Sequence, residues 1–166
     1  MKSTIIGELS WVAIIVFLCL INFKATLVVF IIPLVFTRFM MMAGNWGQHA
    51  FVDADSPENC YRNSITCINV AYNKKCFNDG YHIVHHLKPA LHYTDMPGEF
   101  IQNLDRYASE KAIVFRGLDF FMVWVLLMTK NYKTLASRFV HLDNTLPDKA
   151  SVIAFLKTRT RKIPFR

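Results

Sequence analysis

The stretch CFNDGYHIVHHLKP, residues 76–89, sets His82, His85 and His86 within five positions of a chain that has six histidines. On a helix the i, i+3, i+4 spacing turns these side chains to within about 100° of one another, onto one face. Asn78, Asp79 and Gly80 supply a helix start and Pro89 a stop. Three neutral imidazoles side by side are a donor set for iron, zinc or copper. Without a metal they are poor packing partners, because they repel when protonated and need hydrogen-bond partners when buried. The pattern therefore points to metal ligation.

A second stretch, GNWGQHAF at residues 44–51, places Asn45 and His49 at i and i+4, stacked on one helical face. It stands where a long apolar run ends, which makes it a partner for the cluster at a membrane surface. Asparagine is also common at helix ends, so Asn45 carries two readings. His141, beside Asp143 in a basic stretch, reads as an ordinary surface histidine, and His92 lies outside the cluster's spacing. Glycine-rich phosphate loops, a Ser-His-Asp order, a catalytic Cys-His signature and a clear carboxylate pair are all absent.

The elements that must position these residues begin in the membrane. Residues 4–23 form an apolar run with one charge, Glu8, and residues 24–44 form another with Pro33 in mid-run and Arg38 near its end. Twenty helical residues span about 30 Å, the thickness of a bilayer core. Proline is tolerated in spanning helices, and an arginine near the end snorkels. A signal peptide fits less well, since a small-residue cleavage site is missing and a second apolar run follows at once. The expected arrangement is a transmembrane helical hairpin over residues 1–44, with helices at about 4–23 and 25–44 and a turn near Asn22 to Ala25. The positive-inside rule then puts the rest of the chain in the cytosol.

Residues 45–111 are polar and are expected to form the cytosolic metal-binding region. DADSPEN, residues 53–59, opens like a calcium loop, but Pro57 and the missing glycine argue against one. Residues 112–129 are expected to form an interfacial amphipathic helix, because Arg116 and Asp119 leave too short an apolar run to span. The basic region 130–166 holds nine Lys or Arg against Asp143 and Asp148, and the rest of the chain balances to zero. Its reading is contact with anionic lipid; no nucleic-acid motif accompanies the charge. Within it, Asp148 is expected to cap a helix with an apolar stripe of Val152, Ile153, Phe155 and Leu156. The cysteines at 19, 60, 67 and 76 match neither a zinc motif nor a disulfide framework and read as reduced thiols. The fold class expected is an all-α membrane protein.

His82-Ile-Val-His85-His86 resembles the last histidine box, H-x-x-H-H, of the membrane-bound di-iron fatty-acid desaturases and hydroxylases. LKPALHY, residues 87–93, is similar to the continuation of that box in many members. Asn45-Trp-Gly-Gln-His49 resembles the N-x-x-x-H motif that precedes it at the end of a spanning helix. The resemblance implies His49, His82, His85 and His86 as iron ligands and Asn45 as the holder of an iron-bound water. It also implies a di-iron cofactor, a fatty-acyl substrate, O2, and a small cytochrome or ferredoxin as electron donor. The place it implies is the endoplasmic reticulum membrane with the histidine region in the cytosol. The family's two earlier histidine boxes are missing, since no histidine precedes His49. The chain is therefore expected to be the C-terminal part of such a protein: a fragment, a split protein needing its N-terminal half, or a decayed copy, inactive alone. The alternatives are a lipid hydroxylase of the same superfamily and a non-catalytic membrane protein with a structural metal site.

Overall fold

The computed structural model describes residues 2–163, and the chain divides into two compact units, Met1–Met42 and Ala43–Arg166. In the first, helix α1 (Lys2–Thr26) passes through a π-helical turn, Leu27–Ile31, into α2 (Ile32–Gln48), whose last residues belong to the second unit. The wide turn falls just ahead of Pro33, which has no N–H to donate to the turn before it. Asn22 interrupts α1 with φ −152° and ψ 94°. Its Oδ1 accepts the Ala25 N–H at 3.0 Å and its carbonyl accepts the Thr26 hydroxyl at 2.9 Å. That is the arrangement of a helix-capping residue, so the apolar stretch restarts at Asn22. Lys2–Gln48 is long and apolar enough to cross a membrane. Its large side chains face outward, Leu20 at 81% exposure and Val35 at 62%, a surface that water disfavours.

The second unit adds α3 (Cys60–Asn63), β1 (Ile65–Ile68), α4 (Ala71–Lys75), α5 (His82–Leu87), α6 (Met96–Gln102), α7 (Leu104–Ser109), β2 (Ile113–Arg116), α8 (Phe120–Met128), α9 (Tyr132–Arg138) and α10 (Lys149–Arg159). The two strands pair in parallel, Ile65 opposite Ile113. Parallel strands need a long crossover, and here the crossover is the histidine region itself. Alternation along the strands divides the core. Ile65, Cys67, Ile113 and Phe115 join Val123, Leu127, Leu135, Val152 and Leu156 of α8 to α10. Val114 and Ala112 join Ile83, Val84, Phe100 and Tyr107 of α5 to α7.

Two expectations change. The chain is mainly helical, but it is not all-α: ITCI and IVFR are strands, and their apolar, largely β-branched side chains fit a sheet buried on both faces. The single helix expected over 112–129 is instead a strand, a turn and α8. Gly117 adopts φ +69° at the turn, and Asp119 caps α8 by accepting the Met122 N–H at 2.8 Å. The C-terminal helix starts as the sequence predicts, with Asp148 and Ser151 forming a reciprocal capping box and Val152 and Leu156 buried. The four cysteines are free thiols.

Candidate metal centre

Two short segments carry the donors, and a glycine stands two residues ahead of the first histidine in each. A Cβ on Gly47 would overlap the Phe120 carbonyl, so only glycine lets the end of α2 lie against the start of α8. A Cβ on Gly80 would overlap the Asn73 amide and the Cys67 carbonyl. The Gly80 N–H donates to Asn73 Oδ1 at 3.1 Å, and the Asn73 amide donates to the Cys67 carbonyl at 2.9 Å. The Cys67 N–H donates to the Gly80 carbonyl at 2.7 Å. The start of α5 is thereby fastened to the edge of β1. Ile83 and Val84 bury α5 in the core, and its last turn closes with Lys88 donating to the Val84 carbonyl ahead of Pro89.

This packing brings three imidazoles together. His49 Nε2 lies 3.1 Å from His82 Nε2 and 3.4 Å from His86 Nε2, and the latter two are 3.1 Å apart. For metal–nitrogen bonds of about 2.1 Å, neighbouring donors stand about 3.0 Å apart in octahedral and about 3.4 Å apart in tetrahedral coordination. The triangle has the spacing of three donors to one ion, and the residues fit a metal. His49 Nδ1–H donates to the Asn63 carbonyl at 3.0 Å, which leaves its Nε2 lone pair aimed at the other two rings. Burial, and after it the neighbouring His82, His49 and His85, pushes His86 down to about 4. It is therefore neutral at pH 7, as a ligand must be. The Phe120 ring packs edge-on against His82 at 5.8 Å and against Tyr72 at 5.9 Å, forming an apolar wall.

Of the five residues the sequence singles out, the structure converges three. His85 is exposed and its ring stacks beside His82 at 5.8 Å without joining the triangle. Spacing alone groups it with His82 and His86, yet on this helix it is the i, i+4 pair, His82 buried and His86 exposed, that turns toward His49. Asn45 is exposed on α2, one turn before His49. Among the described residues, this is the group of three donors that could hold an ion.

The sequence reading missed the groups behind the ligands. Asp79 Oδ2 accepts the Tyr72 hydroxyl at 2.7 Å and the Gln48 amide at 3.1 Å, and its Oδ1 lies 3.8 Å from His82 Nδ1. Loss of solvent raises the Asp79 carboxyl, but the approach of His82 and the Tyr72 hydroxyl more than reverses this and holds it below its usual value. An aspartate three residues before a helical histidine was the available signal; its other partners come from distant sequence.

The chain matches the family model described as Fatty acid desaturase over residues 3–109, more than half its length and across both histidine-bearing segments. No curated protein and no solved structure matches it.

Proposed function

The chain belongs to the fatty acid desaturase family, and from that premise we propose that it supplies the last histidine box and the preceding N-x-x-x-H segment of an O2-dependent di-iron lipid desaturase. One observation carries the reading: three Nε2 atoms from segments 33 residues apart stand 3.1 to 3.4 Å from one another in a chain of this family. Iron held by His49, His82 and His86 would activate O2 against an acyl C–H bond, chemistry that no side chain supplies.

The chain's own residues do the positioning. The Asn63 carbonyl fixes the tautomer of His49, and Phe120 keeps water from one side of His82. His85 would be a ligand of the second iron, and Asn45 would orient water at the site. In this reading the apolar runs cross the endoplasmic reticulum membrane as a hairpin. The capped break at Asn22 supports a turn there, with the histidine region in the cytosol. The outward side chains of α8, Met122, Val125 and Met128, lie against lipid. A fatty-acyl chain enters from the bilayer, and electrons come from a small cytochrome or ferredoxin. Four histidines and Asn45 do not suffice for two irons, so the remaining donors come from another segment and this chain alone does not turn over.

The test loads the chain with Fe²⁺ in lipid nanodiscs and measures iron per chain and acyl products by mass. We expect fewer than two irons and no product. Adding a segment that carries two further histidine boxes gives two irons and an acyl chain two hydrogens lighter. Two irons with turnover by the chain alone overturns the incompleteness, and no bound metal overturns the centre. A product heavier by one oxygen assigns a hydroxylase. A second reading, a non-catalytic membrane protein with one structural ion, is favoured by the number of converging donors. Retained zinc and no product after complementation would select it.

A further inference from the structure

His82 Nδ1 is buried and has no hydrogen-bond partner, although the ring's other nitrogen belongs to the triangle. A buried N–H without an acceptor is disfavoured, and the group it faces is Asp79 Oδ1 at 3.8 Å. The second oxygen of that carboxylate is already engaged. It accepts Tyr72 Oη–H from α4 and the amide of Gln48, the last residue of α2 and the immediate neighbour of His49. One carboxylate thus reaches both ligand-bearing segments: α5 through His82, and the end of α2 through Gln48.

We propose that Asp79 is the positioning residue of the centre, setting the His82 ring and the His49 segment in register by holding His82 Nδ1 with one oxygen and Gln48 with the other. The inference rests on the metal-centre reading above and adds a role to a residue outside the donor triangle. Its chemistry follows from the partners. Tyr72 and Gln48 are neutral donors, so they orient the carboxylate without cancelling its charge. The charge is left beside the imidazole cluster, where a divalent cation needs it, and a carboxylate on the far nitrogen makes an imidazole a more basic ligand. Closing the 3.8 Å gap to hydrogen-bonding distance takes less than about 1 Å, a movement that metal binding at Nε2 would favour.

The experiment titrates the full chain in nanodiscs with Co²⁺, reading affinity and the visible absorption spectrum, with circular dichroism of the metal-free chain as the control. The expected result for D79N is about 10- to 100-fold weaker binding and an altered spectrum, with the metal-free chain still folded. D79E restores most of the affinity, because its extra methylene spans the gap. Y72F, which frees one side of the carboxylate, weakens binding by a factor of about ten, the bottom of the same range. Wild-type affinity and spectrum in D79N overturn the proposal while leaving the centre intact. If D79N does not fold, Y72F decides, and unchanged Co²⁺ binding by Y72F overturns it. A wild-type chain that binds no Co²⁺ removes the centre and this role with it.

Discussion

Two aspartates in the second unit act as hubs, and they differ in the partners they gather. Asp53 accepts from Arg159 at 2.6 Å and from Arg62 at 3.3 Å. Asp79 accepts from Tyr72 and Gln48 and faces a histidine. In each, lost solvent raises the carboxyl and its partners more than reverse the effect, so both sit below the usual range. The Asp53 hub is closed, with two guanidiniums cancelling its charge and Arg62 passing on to Glu110 at 3.2 Å. It joins the loop after α2 to the end of α10, where the Val52 N–H also donates to the Arg159 carbonyl at 2.8 Å. The Asp79 hub has no guanidinium on it, and its free oxygen faces His82 of the imidazole triangle. A carboxylate ringed by arginines fastens a fold; one ringed by neutral donors leaves its charge for a cation still to come.

The sharpest way to break this comparison is to remove a ligand. H49A takes one of three donors from the triangle and is expected to weaken Co²⁺ binding about a thousandfold, beyond the ~100-fold upper range for loss of a supporting group. At 1.4 kcal/mol per decade that is about 4 kcal/mol. Metal-free stability should hold, since His49 is only partly buried. H92A, outside the triangle, is the matched control and should bind as the wild type does. Equal losses in the two variants would mean that the triangle is not the site.

Next comes the closed hub. Arg159 is 9% exposed and Asp53 18%, so R159A takes the shorter of two ion pairs from a largely buried carboxylate and leaves it Arg62 alone. Breaking a buried pair costs about 3 kcal/mol, seen as a fall of roughly 10 °C in the melting temperature. Co²⁺ affinity of the folded fraction should not change. A variant that keeps its stability and loses metal would reverse the roles of the two hubs. The burial of Arg159 also separates it from the exposed basic residues Arg161 and Lys162. Of these three, only the latter two are open to solvent.

Smaller again is the cap of α10. D148A removes the acceptor of the Ser151 N–H at 2.7 Å and is expected to cost about 1 kcal/mol, measured by chemical denaturation, with no effect on metal. Its importance lies in how it was found. Asp148, the apolar stripe behind it, and the stop of the histidine helix at Pro89 are local signals and were legible in the sequence, while the helix itself starts past Asn78 to Gly80, with Tyr81 at its N-cap. What stayed hidden is non-local. Ile65–Ile68 and Ile113–Arg116 are four residues each and become strands only by pairing across the whole histidine region. Arg159 read as one more tail cation because its partner lies more than a hundred residues earlier. His85 shares its spacing with two ligands, and only the docking of α5 through Ile83 and Val84 decides which faces point inward. Asp79 was visible as part of a helix start, but Gln48 and Tyr72 give it a role, and they arrive from other elements.

The last effect is in pH, and it separates the two hubs by window. His86 titrates near 4 in the folded chain and near 6.5 when unfolded. Above pH 6.5 neither state is protonated there, and the residue gives no pH dependence. Between 6.5 and 4 the unfolded chain takes up the proton and the folded one does not, so metal-free stability falls as pH falls. Both aspartates act in the same direction but in a lower window: their folded values lie below 3.8, so what they contribute persists between pH 6.5 and 4 and is lost only under more acid conditions. Thermal unfolding of the metal-free chain at pH 7 and pH 5 reads the difference. H86Q should lower the slope between those values while leaving the more acid transition in place. R159A should alter the acid transition and leave the slope between pH 7 and pH 5 as it was. The same slope in wild type and H86Q would show that the imidazole cluster does not tax the folded state, and that the contrast between a closed hub and one awaiting a cation is not written into the stability of the metal-free chain.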